Sequence, residues 1–191
     1  VISQNKKMPL PVYEKVFSAA EKGFISATHE NLQCLKSLSA HFAKNCVRTL
    51  DRGFDANDYC RYFLKNDEKF VIRSKKNSNV IYNGKTQNIM DVAGKYKGNY
   101  RMNFKDKHGK KIECKISYIP VRLCEFPNKA LVLVAVYGFG VQPMLLLTNL
   151  GVSEKKKLCM IATKVYLIRW RIEEYFKFKK QQFELEDLRV M

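Results

Sequence analysis

Residues 166–180 read YLIRWRIEEYFKFKK, and the reading of fold and function turns on why one helical stretch should carry them. Aromatic residues from Tyr166 onward alternate with Arg169, Arg171, the Glu173-Glu174 pair and three lysines, leaving scarcely a plain solubilising position. On one continuous helix, at about 100° per residue, Tyr166, Arg169, Glu173 and Lys180 fall within an arc of roughly 60°. Ile168, Ile172, Phe176 and Phe183 gather on the adjacent side. The spacing predicts one stripe packed on a sheet and a neighbouring stripe that presents a carboxylate flanked by two cations and a phenol. Such a group suits a phosphodiester: the carboxylate holds a divalent metal, Arg and Lys take phosphate oxygens, and Tyr stacks or hydrogen-bonds along the backbone. The alternative is a solvated face on which Glu173 and Glu174 pair with Arg169, Arg171, Lys177 and Lys180 as ordinary helix neighbours.

A second acidic position weighs against that alternative. CVRTLDRGFD, residues 46–55, is a short apolar run that ends at Asp51, just before Arg52-Gly53. An aspartate at the carboxyl end of a strand has a fixed backbone and a side chain free to meet a ligand. A turn-initiating Asp is the competing explanation.

Working outward, HENLQCLKSLSAHFAKN (29–45) places Leu32, Leu35, Leu38 and Phe42 at helical spacing. Residues 8–17 read as an extended edge segment with prolines, and DANDYCRYFLKND (55–67) as a short helix with Asp55 or Asn57 available as its cap. KFVIRSKK (69–76) reads as a strand. From about 75 to 140 the texture is β-rich: NVIYNG, NYRMNF, KIECKISYIPVRL and ALVLVAVYGF, separated by turns such as DKHGK and EFPNK. PMLLLTNL (143–150) returns to an apolar strand, and a Lys-rich turn leads into one long final helix, roughly 155–182. The expected architecture is α/β, a single domain over 1–191 with helices packed on a sheet and a β-rich insertion at about 75–140.

The composition fits that domain. A chain of 191 residues with 46% apolar content can bury one full core. Lys and Arg number 35 against 18 Asp and Glu, and the surplus of +17 is spread along the chain. Nucleic acid is the first partner such a surface suggests, because neutralising phosphates releases condensed counterions. An anionic membrane surface is the second, and charge that merely aids solubility the third. The longest apolar run, ALVLVAVYGFG at 130–140, is far shorter than a membrane span. Six scattered cysteines without a CxxC pair read as reduced thiols, mostly in the core. His29, His41 and His108 are isolated and read as helix or turn residues rather than metal ligands.

Tyr166, Arg169, Glu173 and Lys180 stand at the spacing Y-x2-R-x3-E-x6-K. This resembles the signature of the insertion-sequence transposases of the IS4 type, as do RWRIEEYFKFKKQQFELEDLR (169–189) and LDRGFD (50–55) upstream. The resemblance implies an RNase H-like core with an Asp, Asp, Glu triad and two Mg2+ ions, for which Mn2+ can substitute. Asp51 would be the second aspartate and Glu173 the glutamate, both metal ligands. Tyr166, Arg169 and Lys180 would grip transposon-end DNA, and residues 75–140 would take the place of an insertion that helps hold it. The implied reaction is metal-assisted cleavage and strand transfer on double-stranded DNA at inverted-repeat ends. A homodimer on paired ends, in a bacterial cytoplasm and associated with the nucleoid, goes with that activity.

The family's first aspartate lies on the opening strand of its fold, whereas residues 1–13 hold no Asp or Glu and Glu14 is the earliest acid. The expectation is therefore a truncated chain that lacks the opening strand and the first metal ligand. Two other readings stand beside it: a non-catalytic nucleic-acid-binding remnant of a transposase, and a different RNase H-like nuclease acting on RNA or branched DNA.

Overall fold

The computed structural model describes residues 13–15, 17–42, 46–55, 57–105, 109 and 111–183. Two compact units emerge, Val1–Ala40 with Ile168–Met191, and His41–Leu167.

The His41–Leu167 unit is built on a sheet of eight strands among the described residues. Strand β1 (Val47–Leu50) is followed by a 3-10 turn (Arg52–Phe54), helix α2 (Asn57–Lys65) and strand β2 (Lys69–Arg73). β1 and β2 pair in parallel, with Leu50 opposite Ile72, so the helix between them is the crossover that a parallel pair requires. Strands β3 (Asn79–Tyr82) and β4 (Lys85–Asn88) and helix α3 (Ile89–Gly94) come next. Strands β5 (Tyr100–Lys105), β6 (Lys111–Leu123), β7 (Phe126–Tyr137) and β8 (Met144–Thr148) complete the sheet in the order β1-β2-β8-β7-β6-β3-β4, with β5 also on β6. The β-rich stretch is thus continuous with β1 and β2 through β8.

Apolar runs explain the centre of this sheet. Residues 131–136 of β7 and 144–148 of β8 are buried throughout, which is why their sequences do not alternate. On one face Val132, Val134, Val136, Met144 and Leu146 pack with Val71 and with Leu158, Cys159, Ala162 and Tyr166 of helix α4 (Lys155–Ile168). In α2, Phe63 stacks on Phe70 of β2 with ring centroids 5.5 Å apart. Asn149 extends the β2–β8 pairing with its side chain: Oδ1 accepts the Phe70 N–H at 2.9 Å and Nδ2 donates to the Glu68 carbonyl at 2.8 Å.

The other unit contains α1 (Ala27–His41) up to Ala40 and α5 (Trp170–Phe183). Lys179 Nζ contacts both oxygens of Glu14, at 2.5 and 2.6 Å, and Lys15 Nζ pairs with Glu30 at 2.5 Å.

Several expectations need correction. The final helix is not continuous: α4 ends at Ile168, Arg169 sits in a turn, and α5 begins at Trp170, with the Ile172 N–H donating to the Arg169 carbonyl at 3.0 Å. The arc drawn through Tyr166, Arg169, Glu173 and Lys180 assumed an unbroken helix and does not hold across this turn. Ile172 and Phe176, expected in the packed stripe, are 45% and 49% exposed. EFPNK is not a turn from end to end, because β7 starts at Phe126 and the β6–β7 connection is Cys124-Glu125. β4 and α3 were not anticipated. The proline segment at 8–17, the DKHGK turn with His108, and the side chain of Phe183 lie wholly or mostly outside the described residues.

Candidate active site

Asp51 follows the last residue of β1, whose register against β2 fixes its backbone. It then caps the 3-10 turn. Its Oδ1 accepts the Arg52 N–H at 2.7 Å, and its carbonyl accepts the Phe54 N–H at 2.9 Å. The far end of the turn is tied down by Asp55, whose Oδ2 accepts the Lys75 N–H at 2.5 Å and the Ser78 hydroxyl at 2.7 Å. Asp55 therefore anchors the loop after Asp51 to the start of the β-rich stretch. Asp55 is the C-cap of the 3-10 turn, and α2 begins at Asn57.

Tyr166 reaches Asp51 from α4. The ring has no exposed surface and belongs to the core on the helix-covered face of the sheet. From there its hydroxyl donates to Asp51 Oδ1 at 3.2 Å. The expectation laid this side chain along a DNA backbone; the structure seats it in the core with its hydroxyl at the carboxylate. Two turns earlier on the same helix face, burial pushes the Cys159 thiol up to about 12, so this face presents a protonated, inert sulfur.

Arg169, Glu173 and Lys180 lie in the other unit. Arg169 Nη2 bonds Glu173 Oε1 at 2.8 Å, with the arginine side chain 13% and the glutamate 60% exposed. The shielded guanidinium thus holds a carboxylate that faces outward. Lys180 is exposed on α5, two turns beyond Glu173. Asp51 belongs to the His41–Leu167 unit and Glu173 to the other.

A family model described as a transposase DDE domain matches residues 25–190. The chain belongs to the DDE transposase family. No curated protein is similar enough to match it. The family carries with it transposition, a DNA partner and the use of a divalent metal. The oxygens of Asp51 are hard donors of the kind Mg2+ takes. Among the described residues no three His, Cys, Asp or Glu side chains come together as a metal cage. The donor chemistry of Asp51 fits such an ion, and among the described residues this carboxylate alone does not make a metal cage. Among the described residues no helix is long and apolar enough to cross a membrane.

Two features of this site were not read from the sequence. The Asp55 tie has a composition cue, since Asp and Ser favour such turn contacts. The Tyr166–Asp51 contact spans 115 positions and has no local signature.

Proposed function

We propose that this DDE transposase cuts and transfers DNA strands at the ends of an insertion sequence of the IS4 type. In this reading the chain is one RNase H-like domain over 1–191, and it works as a homodimer on paired ends in the bacterial nucleoid. Asp51 and Glu173 are its metal-holding carboxylates, with Mg2+ as the natural ion and Mn2+ as a substitute. The observation that carries the proposal is the placement of Asp51: at the carboxyl end of a parallel strand, capping the turn that follows it and reached by the Tyr166 hydroxyl.

When bound, the ions supply Lewis-acid activation of the attacking and leaving oxygens in an in-line displacement. The chain's own residues do the rest. The Asp51 backbone and the turn after it keep one carboxylate in place, and Arg169 aims the other by its bond to Glu173. Arg169 and Lys180 are the cations assigned to phosphate oxygens, with the guanidinium suited to two oxygens at once.

The test is cleavage of a plasmid that carries the DNA flanking the coding sequence, with Mg2+, with Mn2+ and with chelator. The reading predicts cuts at the inverted-repeat ends that require either ion. Steeply salt-dependent binding that ignores both metal and the carboxylates would instead make the chain a binding protein only.

A further inference from the structure

We infer that Tyr166 is a positioning residue for Asp51, holding its carboxylate in the rotation that receives a divalent cation. The inference rests on the reading of Asp51 as a metal ligand.

Two donors meet at one oxygen of Asp51. The Arg52 N–H lies 2.7 Å from Oδ1 and the Tyr166 hydroxyl 3.2 Å from the same atom. O–H···O bonds are typically about 2.7–2.8 Å, so the backbone contact fixes the oxygen more firmly and the phenol supplies a second direction. Both contacts restrain the position of that oxygen against rotation about the Cβ–Cγ bond.

Packing does not explain the hydroxyl. The ring belongs to the apolar core cluster that includes Leu158, Cys159, Ala162 and Val71, where phenylalanine would fill the same space. A buried hydroxyl needs a partner, and the fold directs this one to the carboxylate at the end of β1. The mount is also stiff, because the side chain is fully buried on a helix packed to the sheet. Groups that hydrogen-bond to a metal ligand set its orientation and basicity, and their loss typically lowers metal affinity about 10–100-fold.

The experiment measures Mn2+ affinity of the full chain by electron paramagnetic resonance, with melting temperature recorded beside it. Asp51→Asn, Tyr166→Phe and the core variant Leu158→Ala are compared with the unchanged protein. The expected result is binding that Asp51→Asn abolishes and that Tyr166→Phe weakens about tenfold or more, while Leu158→Ala melts earlier without losing affinity. Binding that survives Asp51→Asn, or no binding by the unchanged protein, overturns the metal-ligand reading and this inference with it. Binding that Asp51→Asn abolishes but Tyr166→Phe leaves intact overturns the inference alone. Should Tyr166→Phe fail to fold, tyrosine labelled with 13C at Cζ gives the answer in the unchanged protein. Mg2+ must then shift the Tyr166 signal and leave Tyr137, which donates to the Ala93 and Tyr96 carbonyls; a Tyr166 signal indifferent to saturating Mg2+ overturns the inference.

Discussion

The hydroxyl of Tyr166 meets Oδ1 of Asp51 at 3.2 Å, joining the end of strand β1 to a helix 115 residues later. A residue expected at the DNA is thereby found in the core, one hydrogen bond away from the carboxylate assigned to the chemistry. The contact lies wholly within the sheet-bearing unit, so the geometry of Asp51 is set by that unit's own packing.

The strand that carries Asp51 also rests on a buried ion pair. Arg48 Nε lies 3.0 Å from Glu68 Oε2, with the two side chains 12% and 7% exposed, and the Tyr62 hydroxyl adds a contact to Glu68 at 3.3 Å. Removing one partner strands a buried charge, at a cost of about 3–5 kcal/mol. Arg48→Met is expected to lower urea stability by that amount, and Arg48→Met with Glu68→Leu by clearly less than the sum of the two single changes.

Gly138 follows β7 at φ +120°, a conformation that side chains avoid, and an added Cβ would stand 2.7 Å from the Glu113 carbonyl oxygen. Both atoms belong to backbone, so neither can swing away. Gly138→Ala should cost about 1–3 kcal/mol. Gly140→Ala, which meets nothing within 4 Å, should leave the melting temperature almost unchanged.

Thiol chemistry gives a pH prediction. Burial pushes Cys60 and Cys159 up to about 12 from an ordinary 9.0, so the folded chain keeps two protons that the unfolded chain releases. The stabilisation is complete below about pH 9 and is lost as pH rises toward 12, at no more than about 1.4 kcal/mol per pH unit for each thiol. Denaturant unfolding at pH 8, 9 and 10 should show this decline, and Cys159→Ala should flatten it. At neutral pH iodoacetamide should modify the exposed Cys124 well before Cys60, Cys114 or Cys159.

With a net charge of +17, DNA binding should weaken steeply with salt. A plot of log affinity against log salt measured by fluorescence anisotropy is expected to be linear, with a slope that shallows by about one when Lys180 is replaced by Gln and it contacts a phosphate.

Much of the fold was legible because the residues that build it have local signatures. The apolar runs of β7 and β8 announced buried strands, and the run ending at Asp51 placed that carboxylate at a strand terminus. Asn83-Gly84, with φ of +48° and +75°, makes the two-residue hairpin between β3 and β4. β4 itself, KTQN, escaped notice because it has no apolar alternation to mark it. The interruption at Arg169 is different in kind: IRWRIE contains neither Gly nor Pro, so nothing local ends α4. The candidate site was legible as residue types, Asp51 and Glu173 with their basic neighbours. The partner of Asp51 was not, because a contact between a strand end and a distant helix is decided by how the helix packs on the sheet.

The most direct test of the central claim is strand cleavage at the element's own ends, with Mg2+ present, by the unchanged chain and by Asp51→Ala and Glu173→Gln. The account predicts that each substitution lowers the cleavage rate about 10²-fold or more, with DNA binding and melting temperature retained. Cleavage that continues undiminished in either variant would contradict it.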